Sequence, residues 1–175
     1  MTHFTLSPHP DYPPQDVRGV SVSMSTESDL VTLVYRVDGA ARMVVPGPND
    51  PTRADELWRT TCFELFLLFD DDERYVEFNF SPSSRWAAYA FDGYRDGMDD
   101  LSLRVAPKID RLEDGVRATI DRADLPHGEL RMALTAVIEE EGGVKSFWSL
   151  SHPPGAPDFH HGACFVARLP APGQA

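Results

Sequence analysis

Cysteine is scarce, two in 175 residues, which excludes a disulfide framework as the source of this fold. Cys62 and Cys164 both fall in apolar, strand-like stretches. Buried free thiols are expected, with a single disulfide between sheets as the alternative. Positive charge is also short: 16 Lys and Arg against 28 Asp and Glu leave a net charge of -12. A nucleic-acid partner is excluded on that count, because phosphate neutralisation by basic side chains supplies most of such affinity. An anionic membrane surface would be repelled in the same way, so any ligand is expected to be neutral, cationic or small. No stretch approaches the roughly 18 uncharged apolar residues of a membrane helix, and the N-terminal MTHFTLSPHPDYPP has no basic start or apolar run of signal-peptide length. A soluble, cytoplasmic protein is the expectation. Helical periodicity longer than one turn is missing, as are a nucleophile elbow, a P-loop, a dinucleotide fingerprint and a Ser-His-Asp order.

What the chain does contain is short alternating segments. At this length one domain buries about 70% of the surface its unfolded chain exposes. Residues 1–16 hold Pro8, Pro10, Pro13 and Pro14 and read as an extended lead-in, with a strand at most from Phe4 to Leu6. Strands are expected at 17–24, 30–37, 41–45, 62–69, 75–80, 101–109, 116–120, 130–138, 144–150 and 163–169, with an Ala-rich segment after Trp86. Asp121 is placed to cap a single helical turn ahead of Pro126. Residues 17–169 therefore read as one all-β domain, an antiparallel β-sandwich of about ten or eleven strands, immunoglobulin-like or jelly-roll in type, with a frayed tail over 170–175.

The densest stretch is LWRTTCFELFLLF, an acidic turn starting at Asp70, and YVEFNFSPSS. Two aromatic and branched runs around an acidic turn make a hairpin. Alternation puts Cys62, Glu64, Phe66 and Leu68 on one side of the first strand and Tyr75, Glu77, Asn79 and Ser81 on one side of the second. If those sides coincide, one sheet face carries Glu64, Glu77 and Asn79 flanked by Phe66 and Tyr75, a surface suited to hydroxyl-rich ligands. Glu64 lies in an otherwise apolar strand and must be paired, and Arg85 is its expected partner. The alternative for the pair is a purely structural bridge.

The order LW, then CFELFL, then YVEFNFSPS, then an Arg before WAAYAF, closed by SFWSLSHPPGAPDFHH and ACFVARL, resembles DOMON-like domains related to family 9 carbohydrate-binding modules. The resemblance covers roughly Val17 to Leu169. It implies that Trp58 stacks on a sugar ring while Glu64 and Arg85 hydrogen-bond its hydroxyls. In those domains late loops add further contacts, and here His152, Phe159 and His160 stand in that region. With Glu77 and Asn79 these complete the expected ligand-binding set for a non-catalytic saccharide or polyol module.

Rivals are an enzyme acting on a cytoplasmic sugar derivative, an interaction module, and the haem-binding redox branch of the same superfamily, for which Met98, Met132 and His152 are the candidate ligands. No cofactor is expected. Calcium at the run from Asp70 to Glu73 or at Asp99 and Asp100, and zinc at His152, His160 and either Asp158 or Cys164, are the lesser alternatives to solvated turns and a knitted loop. Oligomeric state is left open by unprotected sheet edges.

Overall fold

The longest strand, Leu130–Glu140, sends Leu130, Met132, Leu134, Ala136 and Ile138 to one side, and all five are buried in the main core. It is the middle of the sheet in a computed structural model that describes residues 1–27, 29–69 and 72–172. Twelve strands are present among the described residues: β1 (Thr2–Pro8), β2 (Gly19–Glu27), β3 (Leu30–Asp38), β4 (Cys62–Phe69), β5 (Tyr75–Phe80), β6 (Trp86–Phe91), β7 (Asp99–Asp100), β8 (Lys108–Leu112), β9 (Gly115–Asp121), β10 (Leu130–Glu140), β11 (Val144–Ser149) and β12 (Ala167–Leu169). Their order is β7-β6-β5-β4-β10-β11-β1-β2-β3-β9-β8, with β12 beside the start of β10. The architecture is all-β and every pairing of these strands is antiparallel, in one continuous sheet that curls onto itself.

The join is β1. Thr2 to Leu6 pair with β2, whereas Ser7 and Pro8 pair with β11. The lead-in thus holds a longer strand than the prolines suggest, because Pro8 sits at its last position, where a missing N–H is tolerated. Curling brings Val20, Val22, Leu33, Tyr35, Val116 and Ala118 into one core with Phe63, Leu65, Leu67, Val76, Phe78 and Phe80. The Tyr35 hydroxyl crosses that core to donate to the Glu64 carbonyl at 2.6 Å. Cys62 and Cys164 are buried free thiols.

Three expected strands differ. Residues 41–45 make no hairpin with β3: Gly39, with φ 83°, turns the chain into a 3-10 turn over Ala40–Arg42, and a Cβ there would meet the Asp16 carbonyl oxygen at 2.4 Å. Only Met43 bridges, to Glu140. Residues 101–107 leave the sheet between β7 and β8, and the last strand shortens to β12 after a 3-10 turn over Gly162–Cys164. The Asp121 cap forms as expected, its carboxylate accepting from the Ala123 N–H at 2.9 Å ahead of the turn Arg122–Asp124. Asp70 and Asp71 of the acidic turn, and 173–175 of the tail, lie outside the described residues. Among the described residues no helix is long and apolar enough to cross a membrane.

Candidate functional site

Registers decide which sequence faces coincide. Glu64 pairs with Asn79 on β5 and Thr135 on β10, and Phe66 pairs with Glu77 and Ala133. Glu77 in turn pairs with Tyr89 on β6, and Tyr75 with Phe91. Since paired residues share a face, Glu64, Phe66, Tyr75, Glu77, Asn79, Tyr89, Phe91, Thr135 and Val137 all lie on the side of the sheet away from the main core. The loop after β11 folds over part of that side. Phe159, Cys164 and Phe165 pack there on Phe66, Tyr75 and Phe91 as a second apolar cluster.

Beside this lid an open cavity of about 930 Å³ remains. Its floor is Glu64, Glu77 and Val137. Aromatic walls come from Phe66, Tyr89, Phe91, Phe147 and Phe159, and its rim carries Asp55, Glu56, Trp58, Arg95, Met98 and Asp100. Trp58 is 50% exposed, on a 3-10 turn over Leu57–Arg59, with the Arg59 guanidinium 5.5 Å from its ring centre. Among the described residues three non-glycine residues have left-handed backbone, Glu56, Ser84 and Arg95, and two of them line this cavity. Such conformations cost about 1–3 kcal/mol each and collect at functional sites.

Glu64 is 3% exposed and Glu77 is 6% exposed. Thr135 Oγ1 donates to Glu64 Oε2 at 2.8 Å, and Asn79 Nδ2 donates to Glu77 Oε1 at 2.7 Å. The Asn79 carbonyl faces the Cys62 thiol at 3.7 Å, which fixes the amide so that its N–H points at Glu77. Burial, with the neighbouring Glu77 charge, pushes the Glu64 pKa up to about 8, and burial pushes Glu77 up to about 7 against the Asn79 hydrogen bond. The two titrate as a pair that holds on to protons into the neutral range.

His160 closes the network. The Tyr75 hydroxyl accepts from the Arg95 N–H at 3.3 Å and is hydrogen-bonded to His160 Nδ1, 2.7 Å away. The imidazole presents its other nitrogen, Nε2, to Glu77 at 3.8 Å. Burial, with the Arg95 charge, lowers its pKa to about 4. Asp158 holds the loop: it accepts from Tyr94 at 2.6 Å, from Arg95 Nη2 at 2.8 Å and from the His160 N–H at 3.2 Å. Burial alone would raise its pKa, but the Tyr94 and Arg95 bonds outweigh that and lower it. Replacing Asp158 with alanine is expected to speed amide hydrogen exchange over 158–162 by tenfold or more while β4 and β5 keep their protection, because the lid loses three bonds and the sheet none.

The residues singled out in the sequence separate into two groups. Trp58, Glu64, Glu77, Phe159 and His160 line the cavity. Asn79 lies one layer behind it as the donor to Glu77, and His152 is apart, its Nε2–H donating to the Ser7 carbonyl at 2.8 Å and its ring 5.0 Å from His9. Arg85 does not pair with Glu64. Its guanidinium reaches Asn49 at 3.2 Å on the loop before Trp58, because the Ser81–Arg85 turn carries it past the end of β5. The haem candidates are dispersed, Met132 in the main core, Met98 on the rim and His152 by β1. No group of three His, Cys, Asp or Glu among the described residues has the geometry to hold a metal ion. Sequence reasoning missed Asp55, Tyr89, Phe91, Arg95 and Phe147. Tyr89 and Phe91 do alternate in the sequence, but only the register shows that their side meets Glu77. Arg95 lies in DGYRDG, a turn motif with no periodic signal.

The sequence matches no family profile and no curated protein. Among solved structures, a candidate carbohydrate-binding protein from Bacteroides uniformis superposes with a TM-score of 0.68 at 19% identity, over 97% of this chain and 85% of that one. That likeness shows the fold.

Proposed function

We propose that this protein is a non-catalytic binding domain for a small saccharide or polyol, a DOMON-like β-sandwich of the family 9 carbohydrate-binding-module type, acting in the cytoplasm. The observation that carries the reading is one cavity that joins a half-exposed tryptophan to two buried, hydrogen-bonding carboxyl groups. A tryptophan face covers the C–H side of a sugar ring at low entropy cost, while Glu64 and Glu77 accept from its hydroxyls. Arg95, already oriented by Asp158, supplies the guanidinium that the resemblance assigned to Arg85. The likeness to the Bacteroides uniformis protein supports the same class of ligand. One platform and a few polar contacts in a wet site correspond to dissociation constants from roughly millimolar to micromolar.

A thermal-shift titration with mono- and disaccharides and polyols tests this. A melting temperature that rises with ligand concentration is expected, and Trp58→Ala is expected to weaken that response at least tenfold while changing the unliganded stability by no more than about 0.5 kcal/mol. An undiminished response in the variant would remove Trp58 from the site. One observation favours a second reading, an enzyme acting on a sugar derivative: adjacent carboxyls with raised pKa values are what glycosyl transfer uses. Turnover of a chromogenic glycoside, lost in Glu64→Gln with folding intact, would replace the binding reading with that one.

A further inference from the structure

The charged groups around the cavity are unequally partnered. On the rim, Glu56 pairs with Arg59 at 2.6 Å, Asp100 with Arg53 at 3.4 Å and Arg95 with Asp158 at 2.8 Å, while Asp55 accepts from the Tyr89 hydroxyl at 2.7 Å. On the floor neither carboxyl pairs with a Lys or Arg among the described residues; the Arg95 charge reaches Glu77, but its guanidinium is bonded to Asp158. Glu64 is faced by Thr135 from β10, by Asn79 and Glu77 from β5 and by Cys62 from its own strand. Glu77 is faced by Asn79, by Tyr89 from β6, and by Arg95 and His160 from the loops, with Arg95 committed to Asp158 and His160 neutral. Glu64 has a hydrogen bond at Oε2 and none at Oε1 among the described residues. Two nearly buried carboxyls without an ion-pair partner of their own are costly, and the pair lowers that cost by keeping protons.

The walls point the same way. The π faces of Phe66, Tyr89, Phe91, Phe147 and Phe159 attract a cation that leaves water, and a carboxylate floor beneath aromatic walls suits an ammonium group better than a hydroxyl. A hydroxyl offers one donor and no charge. An ammonium offers three donors and the missing charge.

We propose that the ligand carries a protonated amine seated on Glu64 and Glu77, which makes an amino sugar the class of saccharide this cavity takes. The sugar half of that statement rests on the function proposed above. Near pH 6 both carboxyls hold a proton; when the ammonium form binds, one of these protons leaves to the buffer and an ion pair replaces it, so nothing else is consumed. Binding is therefore accompanied by proton release that a neutral sugar would not cause.

Isothermal titration calorimetry near pH 6, in phosphate and in a sulfonate buffer, with glucosamine, glucose, N-acetylglucosamine and propylamine, tests it. Glucosamine is expected to bind about tenfold to a hundredfold tighter than glucose or N-acetylglucosamine, the range a charge-assisted hydrogen bond supplies. Its heat should differ between the buffers by the released proton, and Glu77→Gln and Glu64→Gln should each erase the preference at an undiminished melting temperature. Equal affinity for glucosamine and glucose would overturn the amine inference and leave the saccharide reading standing. Binding of propylamine with no response to any sugar would keep the amine site and overturn the saccharide reading. No response to either amine would overturn the inference.

Discussion

Phe78→Ala is expected to cost about 3–5 kcal/mol of stability, the range for deleting a buried aromatic side chain. Phe78 has no exposed surface, stacks on Phe80 at 6.2 Å and sits where the two halves of the curled sheet share one core. With domains stable by only about 5–15 kcal/mol, that is a large fraction of the total. The melting temperature should fall by about 2–4 °C for each kcal/mol lost. A urea titration reads it as a lower midpoint at an unchanged slope. Phe78 also stands between Glu77 and Asn79 on the strand, whose side chains form the opposite face, so β5 has its packing on one side and its site on the other. Ligand response should weaken with it, whereas Trp58→Ala should reduce the response and spare the fold. A loss below about 1 kcal/mol would show that the Phe78 site collapses around the cavity, and that the core tolerates it.

Most of the strands could be read from alternation, and the site could be read in half. The period of two names the faces of β4, β5 and β10 without any structure, which is why Glu64, Glu77 and Asn79 stand out together. It does not say which face of one strand continues which face of the next. A slip of one residue would exchange Glu64 for Phe63 at every contact, and only the observed register of Glu64 with Asn79 and Thr135 settles it. Loop residues leave no periodic trace at all. Arg95 and Asp55 enter through turns whose path follows from tertiary contacts, Asp158 in one case and the Tyr89 hydroxyl in the other. Arg85 shows the reverse error. The need of Glu64 for a partner and the resemblance both point to Arg85, but the Ser81–Arg85 hydrogen bond closes a turn there and aims the side chain at Asn49. The same limit applies to β1, where a proline at the terminal position still permits a strand that joins the two halves of the sheet.

Between pH 6.5 and 8.5 the unliganded protein is expected to lose stability as pH rises, and Glu64→Gln is expected to abolish most of that loss. Glu64 has a folded pKa of about 8 against an ordinary 4.5, so the folded state binds more protons than the unfolded one across the interval. Stability then falls with pH, its slope following the proton difference between unfolded and folded states. The protonated-state advantage is complete below the ordinary value and gone once pH passes the folded one. Glu77, raised to about 7, adds to the lower part of the window. His160 works in the opposite sense. Its pKa of about 4 against 6.5 makes the unfolded state the better proton binder between those values, so its contribution grows up to 6.5 and is constant above. The carboxylates with lowered pKa values, Asp38, Asp72, Asp124 and Asp158, matter only at acid pH. Above 6.5 the Glu64 and Glu77 pair is therefore unopposed, and the buried Cys62 and Cys164 thiols, both raised by burial, act in the same sense once the unfolded chain's thiols ionise near 9. Glu64→Gln keeps an acceptor for the Thr135 hydroxyl and removes the buried charge, and its melting temperature near pH 8 should exceed that of the parent protein by several degrees. Melting curves of both proteins at half-unit steps read this directly. Parallel curves would mean that Glu64 ionises in the folded state near the ordinary carboxylate value, and that water reaches the floor of the cavity.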